Sequence, residues 1–209
     1  MYLPSVELKE WVKLFSDGLL GIAALVTAGT AIYGVRMWKH ELAGREIYGA
    51  AKTLVKESHL LLRAIGRARR PIQDFERRTY SNKVQQHTTE SERWRLSESE
   101  GFRKRIDDIA EVDARFRSAL LEARVLVGSK AFLWFLPFNE LVGDAIQRIN
   151  NYLDVLQDHP PDSPEVKEAQ NALYASDNSD DDLSQKIGDA REDGERALLV
   201  SLNRKSIRG

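Results

Sequence analysis

The chain contains no cysteine, which excludes a disulfide framework, a thiolate zinc site and a thiol nucleophile, and fits a reducing compartment. Proline and glycine are scarce, 6 and 13 in 209 residues. The prolines fall at the edges of apolar-periodic segments, so a nearly all-helical chain is expected. Net charge is also almost absent, at −1; there is no bulk pull toward nucleic acid or acidic substrates, and any such attraction must be local. A catalytic constellation is missing as well. His40, His59, His87 and His159 are scattered, with no two at the i+3 or i+4 offsets of a helical metal site. Gly128-Ser129-Lys130 lacks the earlier glycine and the preceding strand of a phosphate loop. The acidic run Asp177 to Asp182 lacks the glycine and the final glutamate of an EF-hand loop. No enzyme activity, metal or cofactor is expected.

Apolar residues at 42% and charged residues at 30% exclude a disordered chain. The length suits one domain, or one extended helical unit with appendages. The longest uncharged stretch, Gly18 to Val35, extends from Leu14 to Trp38 if Asp17 and Arg36 sit at the two interfaces. That matches the roughly 17 to 25 residues a bilayer core requires. Trp11 and Phe15 on one side, and Tyr33 and Trp38 on the other, form an aromatic belt of the kind found at membrane boundaries. The competing reading is a buried helix of a soluble bundle. A cleaved signal peptide fits poorly, because the leader mixes Glu7, Glu10 and Asp17 with Lys9 and Lys13. Lys9 and Lys13 precede the run, whereas Arg36, Lys39, Arg45 and Lys52 follow it; this bias places the carboxyl-terminal side in the cytoplasm of an inner-membrane, single-pass protein. Ala23, Thr27, Thr30, Ala31 and Gly34 recur along one side as a small-residue seam, through which spans approach each other closely, so a homo-oligomer paired in the membrane is expected.

Beyond the run, three seams alternate steps of three and four. Ile47, Ala51, Leu54, Ser58, Leu61, Ile65 and Ala68 form the first, closed by Pro71. Phe102, Ile106, Ile109, Asp113, Phe116, Leu120, Ala123 and Val127 form the second, with Ser97 and Glu100 as its capping box and Gly128 as its stop. Phe138, Val142, Ala145, Ile149, Tyr152 and Leu156 form the third, with Pro137 as first helical residue and Pro160 and Pro161 closing it. Shorter helices are expected at 164–175 and 183–203. Ser58 and Asp113, polar members of their seams, are candidates for setting register. The expected organisation is a leader and transmembrane helix over 1–38, a long antiparallel hairpin or bundle over 39–159 with a polar tip loop at 71–96, and short helices over 160–209.

In such a hairpin the first helix leaves the membrane and the second returns, each about 45 to 50 Å long. Residues 130–138, KAFLWFLPF, then lie near the bilayer surface. Two readings stand for them: a buried corner, or an interfacial anchor formed with Trp38 by Phe132, Trp134 and Phe135. The basic segment 63–83 would sit at the far tip. It carries Arg63, Arg67, Arg69, Arg70, Arg77, Arg78 and Lys83 against Asp74 and Glu76. Roughly 40 Å from lipid, it lies well beyond a Debye length of about 8 Å. It is therefore either a solvated tip or a dock for an acidic protein, the chain's own 177–182 run included. Nucleic acid ranks last, since only Phe75 and Tyr80 are interleaved for stacking.

The stretch WKHELAGREIYGAAKTLV, followed by a leucine-rich helix ending in Arg-Arg-Pro, resembles a loose group of uncharacterised bacterial proteins with one N-terminal span and a helical cytoplasmic part. The resemblance covers roughly residues 15–75. It implies a single-span bacterial membrane protein and carries over no activity. The expected function is a membrane-anchored helical scaffold or interaction protein with the bilayer and an acidic protein as partners. The alternatives are a membrane-active, oligomerising effector that forms a pore or perturbs the bilayer, and a soluble helical binding module.

Overall fold

A computed structural model describes residues 5–73, 76, 88–174 and 182–207. Among these the chain forms five α-helices: α1 Ser5–Ala68, α2 Glu90–Leu126, α3 Ser129–Asp158, α4 Pro164–Leu173 and α5 Asp182–Ile207. They fall into two compact units, residues 1–46 and residues 47–209.

The helix described in the first unit is the N-terminal part of α1, uninterrupted by proline after residue 4. Every residue from Gly18 to Glu46 is exposed. The helix from Gly18 onward is long and apolar enough to cross a membrane: an 18-residue window has a mean hydropathy of 1.8 and no part of it is buried. A core helix of a soluble bundle would be mostly covered, whereas here Leu25 is 75% and Leu20 66% exposed.

In the second unit the seams turn inward. Ala51, Leu54, Ser58, Leu61, Ile65 and Ala68 of α1 are buried, as are Phe102, Ile109, Phe116, Leu120 and Ala123 of α2. All six residues of the third seam are buried in α3. Order of contact along the helices gives their directions. Arg105 bonds the Arg70 and Pro71 carbonyls, while Arg115 meets Glu57 at 3.4 Å, so α2 runs opposite to this part of α1. Phe102 packs edge-on to Tyr152 at 5.2 Å and Phe116 to Phe138 at 5.4 Å, so α3 runs opposite to α2. Arg69 bonds Ser184 and His59 meets Arg191, so α5 also runs opposite to α1. Helix α3 packs against α2, α4 and α5. Each edge-on aromatic pair adds about 0.5 to 1.5 kcal/mol beyond the area it buries.

Two boundaries differ from the expected ones. Helix α2 starts at Glu90, capped by Thr89: its hydroxyl accepts from Glu92 N–H at 3.2 Å and its own N–H donates to the Glu92 carboxylate at 2.8 Å. Ser97, expected to cap, is buried a full two turns inside, so the tip connection ends earlier than residue 96. Helix α3 starts at Ser129, and Pro137 lies within it. Burial of Ala131, Phe135 and Phe138, each at 0% exposure, offsets the roughly 3 kcal/mol an internal proline costs, and Pro137 itself is on the exposed side. Gly128 does stop α2. Its φ of 120° suits glycine, and its N–H donates to the Ala123 carbonyl at 3.2 Å. The closing helices sit close to the expected ranges; α4 is capped by the Ser163 hydroxyl on the Val166 N–H at 3.2 Å.

Candidate functional site

Ala23, Thr27, Thr30, Ala31 and Gly34 are all exposed on α1. The Thr27 hydroxyl donates to the Ala23 carbonyl at 2.8 Å and Thr30 to the Thr27 carbonyl at 2.9 Å. Both hydroxyls are thus satisfied inside their own helix, as an apolar surrounding demands. Trp38 is 61% exposed and shares a small pocket with Glu41, Leu42 and Arg45, in which Arg45 pairs with Glu41 at 2.6 Å.

The other expected anchor residues behave differently. Phe135 is wholly buried and tilted against Phe116 at 6.2 Å, so it faces the core and not lipid. Phe132 and Trp134 are half-buried, with Arg124 lying 5.5 Å from the Phe132 ring. The apolar side chain that this run does expose is Leu133, at 59%. It is the residue that the 3.6 period places opposite Phe135.

The basic segment divides in the same way. Arg69 is 1% exposed, donating from Nε to the Leu173 carbonyl at 3.2 Å and from a terminal nitrogen to Ser184. It fastens α1 to α4 and α5 and is not available for docking. Arg63, Arg67 and Arg70 are exposed, and Arg77 and Arg78 lie outside the described residues. Arg63 and Arg67 line a groove of about 400 Å³ with Leu60 and Ala64 of α1 and Arg105, Asp108, Glu111, Val112 and Arg115 of α2. Two of its four arginines are matched: Arg105 meets Glu76 at 2.5 Å and Arg115 meets Glu57 at 3.4 Å and Glu111 at 3.1 Å. Burial would raise the Glu76 carboxyl, but the hydrogen bonds from Arg105 and the Gln73 N–H prevail and hold it below the usual range. Sequence reasoning missed Arg105 and Arg115, which reach this groove because α2 folds back along α1. The signal that could have found Arg105 is a charge flanking a seam, between Phe102 and Ile109.

A second polar cluster lies in the core. Glu98, 2% exposed, accepts from Tyr174 Oη at 3.0 Å and Tyr152 Oη at 3.4 Å, and Gln170 donates to Tyr152 Oη at 3.1 Å. Burial, reinforced by the Glu98 charge against an opposing Gln170 bond, pushes the Tyr152 hydroxyl up to about 12. Burial and then the same charge push Tyr174 up as well. At neutral pH both phenols are therefore protonated and donate to the buried Glu98 carboxyl group, which ties α2, α3 and the α4 C-terminus together. The polar seam members act locally: Ser58 donates to the Val55 carbonyl at 2.8 Å and Asp113 pairs with Arg117 at 2.7 Å. Among the described residues no group of three or more His, Asp or Glu side chains could hold a metal ion.

Compared with known proteins, the chain matches no family model, no curated protein and no solved structure.

Proposed function

We propose that the chain is a single-span protein of a bacterial inner membrane, anchored through Leu14 to Trp38, whose helical unit works by binding on the cytoplasmic side. The carrying observation is that the large apolar side chains from Leu19 to Trp38 are each more than half exposed. Among the described residues no side chain buries them, and exposure of so large an apolar surface to water is strongly unfavourable. Lipid satisfies it. The excess of Lys and Arg after the run supports the cytoplasmic placement, and the small-residue side of the helix is where two copies would pair. Arg63 and Arg67, exposed on the groove, with Arg67 already acting through space on Glu76, support an acidic protein as partner for the groove.

A cysteine-free chain allows the span to be tested by single introduced thiols. Lys13→Cys and Asp154→Cys lie on opposite sides of the span and occupy exposed positions. In spheroplasts an impermeant maleimide should label Lys13→Cys, and Asp154→Cys only after permeabilisation. The reverse pattern overturns the orientation, and release of the full chain by carbonate overturns the span.

A further inference from the structure

We propose that the end of the helical unit at which α1 enters it rests on the bilayer surface, a second lipid contact made by protein side chains outside the span. The inference rests on the single-span reading above. Among the described residues of 47–209, seven large apolar side chains are exposed, and all but Leu96 gather at one end: Tyr48 of α1, Leu121 and Val125 of α2, Leu133 of α3, and Leu199 and Val200 of α5. The helix directions place them there. Going from Arg105 to Arg115 on α2 matches going from Arg70 back to Glu57 on α1, so Leu121 and Val125 lie toward Ile47. Helix α3 begins just after the Gly128 turn at that end. On α5, Ser184 lies at Arg69 and Arg191 at His59, which carries Leu199 and Val200 onward to the same end.

Lipid is the occupant that chain connectivity and charge select. Ile47 follows Trp38 by nine positions, so even a fully extended link keeps this end within about 30 Å of the interface. Interleaved with the apolar residues are the exposed cations Lys52, Arg124 and Lys130, against Glu122. An apolar patch rimmed by net positive charge is the pattern by which surfaces seat on anionic headgroups. Among the described residues, the opposite end exposes Leu96 alone of the large apolar side chains; it is 29 residues back along α2 from Val125, roughly 45 Å at the helical rise.

The test uses the full chain in vesicles of phosphatidylethanolamine and phosphatidylglycerol, with one cysteine at a time carrying an environment-sensitive fluorophore. The substitutions are Leu25→Cys in the span, Val125→Cys and Leu133→Cys in the patch, and Leu96→Cys at the far end. Lipids carrying a nitroxide just below the headgroup should quench the labels at Val125 and Leu133 but not the label at Leu96, and a deep nitroxide should quench Leu25. Quenching at Leu25 with Val125 and Leu133 no different from Leu96 overturns the surface contact and leaves the span standing. Val125 and Leu133 labels shielded from aqueous quenchers yet untouched by nitroxide lipids mean that a second copy covers the patch, which also overturns it. Loss of quenching at Leu25 overturns the span, and the inference falls with it.

Discussion

Two glycines of α5, six positions apart, should respond to alanine with opposite signs. A Cβ built on Gly194 would lie 3.0 Å from the Trp134 carbonyl oxygen and 3.2 and 3.3 Å from Cδ1 and Cε1 of Phe135. Neither neighbour can easily yield: the carbonyl belongs to the backbone of α3, and Phe135 is wholly buried against Phe116. Relief therefore requires α5 to move off α3, an overpacking cost of about 1 to 3 kcal/mol. Alanine also gains about 1 kcal/mol of helix propensity, so the net effect is a destabilisation of about 1 kcal/mol. A Cβ on Gly188 would meet nothing within 4 Å, and only the gain of about 0.5 to 1 kcal/mol remains. The difference between the variants, roughly 2 kcal/mol, is the sturdier quantity because propensity and unfolded-chain effects cancel in it. At about 2 to 4 °C per kcal/mol for a unit of this size, Gly188→Ala and Gly194→Ala should straddle the parent, their Tm values about 4 to 8 °C apart. Thermal unfolding of the full chain in mild detergent, followed by near-ultraviolet circular dichroism, reads this directly. Equal stabilisation by both substitutions would refute the close approach of α5 to α3.

Thr89→Ala should lower stability by about 1 kcal/mol through the lost cap, whereas Ser97→Ala, whose buried hydroxyl has no partner among the described residues, should cost nothing; denaturant midpoints separate the two. Arg69→Met should cost about 2 to 3 kcal/mol, since charged hydrogen bonds to Leu173 and Ser184 are lost from a buried site, while Arg63→Met at an exposed site should stay within about 0.5 kcal/mol. Equal costs in a denaturant titration would contradict the burial of Arg69. The raised tyrosines give an alkaline limit. A phenol whose folded pKa exceeds its unfolded 10 adds stability that is present below pH 10 and is lost as pH rises toward the folded value, about 12 for Tyr152. Tyrosinate absorbance should show two late-titrating groups, and Glu98→Gln should bring them earlier and reduce the loss. For the groove, anisotropy of a labelled polyglutamate peptide should report binding that weakens with salt and is lost in Arg63→Glu/Arg67→Glu; binding indifferent to both would sink the acidic-partner proposal.

How far the fold was legible follows from where its determinants lie in the chain. The seams were readable because three-and-four spacing is local, and it marks the same residues that the core buries. The start of α2 was not, for a specific reason: Thr89 with Glu92 and Ser97 with Glu100 are both Ser/Thr-x-x-Glu capping boxes. The choice between them is made by half-buried Trp94 and by Glu98, which is buried against tyrosines 54 and 76 positions away. Pro137 misled in the same manner. Stepping back from Phe138 by three and then four reaches Phe135 and Ala131, so the third seam was already present on the other side of the proline, but the local rule for proline at a helix start cut it short. The cost that rule reflects is real and is outweighed by burial that only the assembled unit supplies. The basic segment shows the limit most sharply. Arg67, Arg69 and Arg70 are near-equivalent in sequence, yet Arg69 is selected for the core by a carbonyl 104 positions away, leaving its neighbours to solvent. Charge counting can therefore locate a docking surface only after the fold has withdrawn from it the residues it uses internally.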